Sequence, residues 1–279
     1  KLFILMILAV TSVTMSAQDR TLRVDYIFSG TDKSVEISLD EMSSFDGWAG
    51  RTTNMDTVAV RGNGQITLTD KSTGKVLYRQ SFSTLFQEWQ TTEEATRVRK
   101  SFENVFLLPM PSVKAEVRIE LYGFKGGISA SMTHEVDPSD ILIRQIAPQP
   151  APHKYILENG SAEKCIDVAI VAEGYTADEI ELFYKDASEA VEAILAHAPF
   201  DAYKDRFNFI AVALPSEDSG VSVPGEGLWK KTALGSHFNT FYMDRYLTTL
   251  RLRNMHDRLC GVPYEHIVIL ANTDTYGGG

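Results

Sequence analysis

The sequence predicts two domains, an all-β sandwich over residues 18–146 and an α/β domain over residues 154–279. Three observations predict this division. A chain of 279 residues is long enough for roughly two domains. Its first part alternates apolar and polar residues, whereas its second part combines continuous apolar runs with helical spacing. Between the two, residues 147–153 contain three prolines, which favours a stiff, extended linker.

Short strands with one buried face account for the first domain. In the clearest of them, Val113–Leu121, apolar residues alternate with Lys, Arg and Glu. Val58 and Val60 precede Gly62-Asn63-Gly64, a sequence that tolerates positive φ and predicts a hairpin. Residues 85–99 could hold a short helix. The same alternation recurs over residues 22–28, 35–39 and 128–134. Many short strands separated by turns are typical of a sandwich.

Three apolar runs predict the sheet of the second domain. Ile166–Ala172, Phe207–Leu214 and His266–Ala271 contain almost no polar residues. Such runs are typical of strands buried on both faces, as in sheets that α-helices cover. Because helical segments separate these strands, the second part is predicted to be α/β.

Two helices are predicted between these strands. Thr176 and Glu179 stand at the spacing of a capping box, which begins a helix. A second helix is predicted over about Phe241–Leu259, with Gly261 suited to end it. The apolar stripe of the first helix predicts core packing, and its members are Ile180, Phe183, Ala187, Ala190, Val191, Ile194 and Leu195.

The first 17 residues have the pattern of a secretory signal peptide. Lys1 is basic, the apolar run after it is too short to span a bilayer, and Ala17 precedes a polar residue. We therefore expect a secreted, periplasmic or cell-surface protein with no membrane span after removal of residues 1–17. The net charge of −10 argues against nucleic acid as a partner.

The usual catalytic motifs are absent from the sequence. The six histidines include no pair at i, i+2 or i, i+4 spacing, so no zinc-peptidase motif is present. His134 is interpreted as a residue of a strand. Neither a Gly-x-Ser-x-Gly elbow nor a Walker sequence occurs. Cys165 and Cys260 are either buried free thiols or a disulfide that an oxidising compartment permits.

The sequence ends in a glycine run. Asn272-Thr273-Asp274-Thr275-Tyr276-Gly277-Gly278-Gly279 directly follows the third predicted strand. Consecutive glycines let another backbone approach closely, which would suit a substrate strand at a sheet edge. By composition alone, a flexible tail or a turn explains the run better.

These residues resemble the IgA-peptidase family of secreted bacterial zinc metallopeptidases. The resemblance rests on Val171–Thr176 with Glu179, on Phe200-Asp201 and Phe207-Asn208, and on Asn272–Gly279. Residues 22–146 resemble the β-rich domain that precedes the peptidase domain in this family. The resemblance implies a zincin-like α/β domain, zinc as the cofactor in the complete protein, and a protein or peptide as substrate.

The same resemblance implies that the metal site lies beyond Gly279. Family members carry His-Glu-x-x-His on a later helix, and no such motif occurs here, so no catalytic or metal residue is assigned. We expect this chain to be an incomplete peptidase domain that binds no zinc. The resemblance also places the glycine run near the sheet edge that pairs with substrate, which implies substrate contacts from Asn272, Thr273, Asp274, Tyr276, Gly277 and Gly278. The alternative is a non-catalytic surface module that binds glycan or protein.

Overall fold

A computed structural model describes residues 19–278, in which β-structure predominates and helices are few. Two four-stranded sheets occupy the first part of the chain. The first sheet has the order β5-β1-β2-β8, and the second has the order β4-β3-β6-β7, with these bounds: β1 (Arg20–Gly30), β2 (Val35–Asp46), β3 (Gly64–Asp70), β4 (Val76–Phe82), β5 (Lys100–Pro109), β6 (Ala115–Tyr122), β7 (Ile128–Val136) and β8 (Arg144–Gln145). The predicted signal peptide of residues 1–17 lies outside the described residues.

Both sheets contribute to one apolar core. In β6, the alternate residues Ala115, Val117, Ile119 and Leu121 are fully buried, as the pattern predicts. Residues of β1 and β5 and the short helix α1 (Leu85–Trp89) complete the core. The helix predicted within residues 85–99 is therefore confirmed.

The hairpin predicted around residues 58–64 is wrong. Residues 58–62 form no strand, and Val60 is 76% exposed. Gly62, Asn63 and Gly64 all have negative φ, so no hairpin turn forms there. Gly62 instead packs against the main chain of Phe82, where an added Cβ would lie 2.3 Å from the carbonyl oxygen. The pairing of β3 with both β4 and β6 takes the place of the predicted hairpin.

A third sheet occupies the second part of the chain. Its strands are β9 (His153–Leu157), β10 (Ile166–Glu173), β11 (Phe207–Val212) and β12 (His266–Ala271), in the order β12-β10-β11-β9. The last three are parallel to one another, and β9 is antiparallel. We predicted that β12 is buried on both faces, which is wrong. It lies at the sheet edge, and its apolar side chains are half-buried.

The crossover from β10 to β11 is the helix α2 (Ile180–Leu195). The predicted capping box is present, and the Glu179 carboxylate accepts the Thr176 N–H at 2.8 Å. A 3-10 turn over Ala177–Glu179 leads into the helix. Phe183, Ala187 and Val191 are buried against the sheet, which confirms the predicted core stripe.

The helix predicted over 241–259 is shorter than expected. Helix α3 spans Leu252–Leu259, and Gly261 follows it with φ of +93°, as predicted for its end. Residues 241–251 form no α-helix, because Phe241 and Tyr242 adopt left-handed φ and His237 forms a β-bridge with Thr248. None of the described helices has both the length and the apolar composition that a membrane crossing requires.

Contacts join the two parts of the chain. Arg23 of β1 forms an ion pair with Asp257 of α3, and Arg253 pairs with Glu103 of β5. The proline-rich segment lies beside the end of α3, because a Cβ added to Gly261 would lie 2.7 Å from Pro148. The Pro152 carbonyl accepts the Ala213 N–H at 2.8 Å. The segment thus contacts both the end of α3 and the residue that follows β11.

Two carboxyl groups lie together at the amino ends of β10 and β12. Asp167 is buried, and only one of its oxygens has a partner, the Asn208 amide at 2.7 Å. The pKa of Glu265 is raised to about 7, mainly by burial and to a smaller extent by the nearby Asp167 carboxylate. Glu265 is therefore largely protonated in the folded protein at mildly acidic pH.

We predict that this proton makes stability depend on pH. The folded state binds the Glu265 proton more tightly than the unfolded chain does, so the free energy of unfolding falls as pH rises from about 4.5 to about 7. For a partly exposed group we expect a loss of about 2 kcal/mol over this range. In urea titrations at several pH values, the free energy of unfolding of wild type should fall over this range, whereas that of Glu265→Gln should not show this fall. Parallel pH profiles would contradict the assignment, and the exposed Glu158→Gln is the matched control.

Candidate substrate-binding site

A buried carboxylate organises the loops at the carboxyl ends of β10 and β11. Glu173, the last residue of β10, is fully buried. Its oxygens accept hydrogen bonds from the Thr232 hydroxyl at 2.6 Å and from the backbone N–H groups of Leu234 at 2.8 Å and Ser236 at 2.7 Å. Both carboxylate oxygens therefore act as hydrogen-bond acceptors for this loop. Glu173 thereby fixes the loop of residues 231–236 beside the strand end.

The residue after this carboxylate must be a glycine. Gly174 has φ of +76°, and a Cβ there would lie 2.5 Å from the Gly220 carbonyl oxygen. The Gly174 carbonyl accepts the Gly220 N–H at 2.8 Å and the Asn272 side-chain amide at 3.1 Å. Asn272 also donates to the Ser219 hydroxyl at 3.3 Å. The Glu-Gly-Tyr-Thr sequence therefore lies beside the start of the glycine run.

The structure places the predicted substrate residues along the extension of β12. The Asn272 N–H donates to the Glu173 carbonyl at 2.9 Å, so Asn272 continues the pairing with β10. Thr273 and Asp274 are exposed. Tyr276 is 77% exposed, and the Arg245 guanidinium lies 5.3 Å from its ring centroid. Substrate binding by these residues remains a prediction.

The glycine run pairs with another segment of this chain. Gly278 donates its N–H to the Arg245 carbonyl at 3.1 Å and accepts the Leu247 N–H at 3.3 Å, which forms a parallel bridge between Tyr246 and Gly278. An open groove of about 810 Å³ lies at this junction. It is lined by Met243, Asp244, Arg245, Tyr246, Tyr276, Gly277 and Gly278.

The sequence does not point to residues 243–246 as part of the site, because their apolar spacing predicts a helix. The one signal in the sequence was the polar Asn239, a residue type that tolerates left-handed φ and can end regular structure. The partners of the segment, Gly277 and Gly278, are about 30 positions away along the chain. No local pattern reports such a contact.

The two adjacent glycines differ in their surroundings and allow a matched test. A Cβ on Gly277 would lie 2.4 Å from Phe238 Cε1 and 2.9 Å from the Arg245 carbonyl oxygen, whereas a Cβ on Gly278 would contact nothing within 4 Å. We predict that Gly277→Ala lowers the free energy of unfolding by about 1–3 kcal/mol. Gly278→Ala should change it by less than about 0.5 kcal/mol. Chemical denaturation measures both, and equal effects would contradict the close packing at Gly277.

The described residues do not fit a zinc ion. Within residues 19–278, no three His, Cys, Asp or Glu side chains are placed to hold a metal. His134 Nε2 faces the Tyr26 hydroxyl, which agrees with its interpretation as a strand residue, and His256 Nδ1 faces the Tyr264 hydroxyl at 2.6 Å. Burial lowers the pKa of both histidines. No catalytic step through zinc is derived from these residues.

The two cysteines are free and buried. Cys165 Sγ lies 4.0 Å from the Asp205 carbonyl oxygen, and Cys260 caps the end of α3. Burial raises the pKa of the Cys260 thiol, which disfavours the reactive thiolate. The sequence allowed either two free thiols or a disulfide, and in the structure both cysteines are free thiols.

Comparisons with known proteins match two families over most of the chain. Residues 14–133 match the family described as Peptidase M64 N-terminus, and residues 155–279 match the family described as IgA Peptidase M64. No match was found among curated proteins. The second family matches the sheet β9–β12, the glycine run and the groove, and the first matches most of the two β-sheets before them. This chain belongs to the M64 family of IgA peptidases.

Proposed function

We propose that this protein is a secreted, zinc-dependent endopeptidase that hydrolyses peptide bonds of extracellular protein. The observation that carries the proposal is the match of residues 155–279 to IgA Peptidase M64. The predicted signal peptide of residues 1–17 supports export, and it lies outside the described residues. The family name does not by itself establish immunoglobulin as the substrate.

Within this proposal, the two parts of the chain have distinct folds. Residues 18–146 form a β-sandwich, and residues 154–279 form the first part of a zincin-like α/β domain, with residues 147–153 as the linker. The shared apolar core of the first two sheets supports the sandwich. The order β12-β10-β11-β9, with α2 as crossover, supports the α/β domain.

The groove beside the glycine run is the proposed substrate site. Its lining includes Tyr276, Gly277 and Gly278, which follow the edge strand β12 in the sequence, and an edge strand can pair with an extended peptide. Tyr276 offers an exposed aromatic face, and Asn272, Thr273 and Asp274 lie at the carboxyl end of β12, where parallel α/β sheets usually bind ligands. Gly278 has open space where a side chain would lie, so a substrate backbone would approach most closely there, whereas Phe238 fills that space at Gly277.

Zinc, when bound, would activate water for attack on the scissile amide. The described residues do not supply its ligands, and we expect those ligands beyond Gly279. The contribution of residues 19–278 would be to bind and orient the polypeptide. The 279-residue chain itself is then expected to bind no stoichiometric zinc and to cleave no protein.

The coding sequence beyond position 279 and the protein that it encodes test this proposal. We expect a His-Glu-x-x-His motif, one zinc per molecule, and cleavage of fluorescein-labelled casein that 1,10-phenanthroline abolishes and added zinc restores. A stop codon at that point, together with binding of casein or glycan without cleavage, would favour the non-catalytic surface module. Labelling by a fluorophosphonate probe would indicate a serine hydrolase instead.

A further inference from the structure

The loop of residues 239–246, here called the groove loop, has an unusual backbone. Asn239, Phe241 and Tyr242 have φ of 60°, 54° and 64°, so three of four consecutive residues are left-handed without being glycine. Side chains larger than glycine rarely adopt this conformation unless surrounding contacts impose it. The contacts of the groove loop therefore show which parts of the chain maintain its conformation.

Two of these contacts come from the first part of the chain. Phe241 packs against the apolar core of the first two sheets. The Tyr246 hydroxyl donates a hydrogen bond to the Glu88 carboxylate of α1 at 2.5 Å. The rings of Phe241 and Tyr246 also meet edge to face, with centroids 5.7 Å apart. The groove loop is thus anchored at Phe241 and at Tyr246 to residues of the first part of the chain.

The other side of the groove loop forms the wall of the groove. Met243, Asp244, Arg245 and Tyr246 line it opposite Tyr276 and the glycines. Met243 is 49% exposed, and Arg245 covers one face of the Tyr276 ring. A shift of the groove loop would therefore change the shape of the groove and break the bridge between Tyr246 and Gly278.

We propose that the first part of the chain is a positioning element of the substrate groove, which holds the groove loop through Phe241 and the Glu88–Tyr246 hydrogen bond. This inference rests on the proposed function, since it takes an extended polypeptide as the occupant of the groove. Glu88 is a positioning residue that acts through Tyr246, and Phe241 anchors the groove loop to the core of the first two sheets. The N-terminal β-structure would then be needed for polypeptide binding and not only for covering the α/β part.

Hydrogen exchange measures the positioning without any ligand. Tyr246→Phe removes only the hydroxyl, and Glu88→Ala removes the acceptor, so each should speed amide exchange over residues 240–246 about ten-fold. Glu88→Gln keeps an acceptor oxygen and should stay within about two-fold of wild type. Glu93→Ala changes an exposed carboxylate of the same region and is the matched control. Global thermal unfolding should be nearly unchanged in all four variants.

Binding of fluorescein-labelled casein to the same chains, measured by anisotropy, tests the link to the groove. We expect Glu88→Ala and Tyr246→Phe to weaken binding about five-fold each, the double variant to be no weaker than either, and Glu88→Gln to bind like wild type. Unchanged exchange, or faster exchange with unchanged affinity, would overturn the positioning role. If wild type itself binds no casein, the substrate groove of the proposed function is wrong, and the positioning role for substrate is wrong with it.

Discussion

Replacement of Arg23 by alanine is expected to lower the free energy of unfolding by about 3–5 kcal/mol. The Arg23 side chain is 3% exposed, and its guanidinium makes two bonds of 2.7 Å to the equally buried Asp25 carboxylate. Without Arg23, that carboxylate would be left buried and unpaired, which costs much more than the loss of an exposed ion pair. Urea unfolding at neutral pH measures the change.

Two companion variants separate the buried pair from its exposed partner. Asp257 also binds Arg23, at 2.5 Å, but its side chain is 57% exposed, so Asp257→Asn should cost about 1 kcal/mol or less. Replacing the whole buried pair, as Arg23→Met with Asp25→Leu, should recover most of the loss, since no uncompensated charge remains. An Arg23→Ala protein within 1 kcal/mol of wild type would contradict this account.

The second large effect is expected at Glu173. Glu173→Gln should lower the free energy of unfolding by about 3 kcal/mol, because an amide replaces one acceptor oxygen with an N–H₂ group that faces a donor. The amide nitrogen takes the place of one oxygen, so either the Leu234 N–H or the Ser236 N–H together with the Thr232 hydroxyl loses its acceptor, and all three residues are buried. Denaturation measures the global loss, and hydrogen exchange at Leu234 and Ser236 locates it.

Glu179→Gln provides the matched control for Glu173. Its carboxylate also accepts hydrogen bonds, from Thr176 and Ser219, but at an exposed helix start. We expect a loss of about 1 kcal/mol and no change in exchange of residues 231–236. If the two variants lower the free energy of unfolding equally, the buried hydrogen bonds of Glu173 do not stabilise the fold more than the exposed ones of Glu179.

Local patterns correctly predicted the elements that depend only on residues close together in the sequence. The alternation in β6, the capping box before α2 and the apolar runs of β10 and β11 all appear in the structure as predicted. In each, the period of the apolar residues matches the repeat of the backbone, so the buried face can be identified without knowledge of its partner.

Other predictions failed where distant segments decide the local conformation. Residues 241–251 have apolar spacing compatible with a helix, but contacts with α1, with the core of the first sheets and with Gly278 hold them in an irregular loop. The apolar run of β12 predicted a buried strand, yet an apolar run does not reveal whether both of its edges are paired. The hairpin at Gly62 failed because β3 pairs with β4 and β6 instead.

By itself, the sequence determined the family, its two-part layout and most strands, because these depend on composition, on short motifs and on the periodicity of neighbouring residues. Only the tertiary structure decided that Arg23 is buried with Asp25, that Glu173 holds the loop of residues 231–236, and that the glycine run faces the groove loop. These features depend on side chains and backbone segments that folding brings together from distant positions, and no local pattern encodes such pairings.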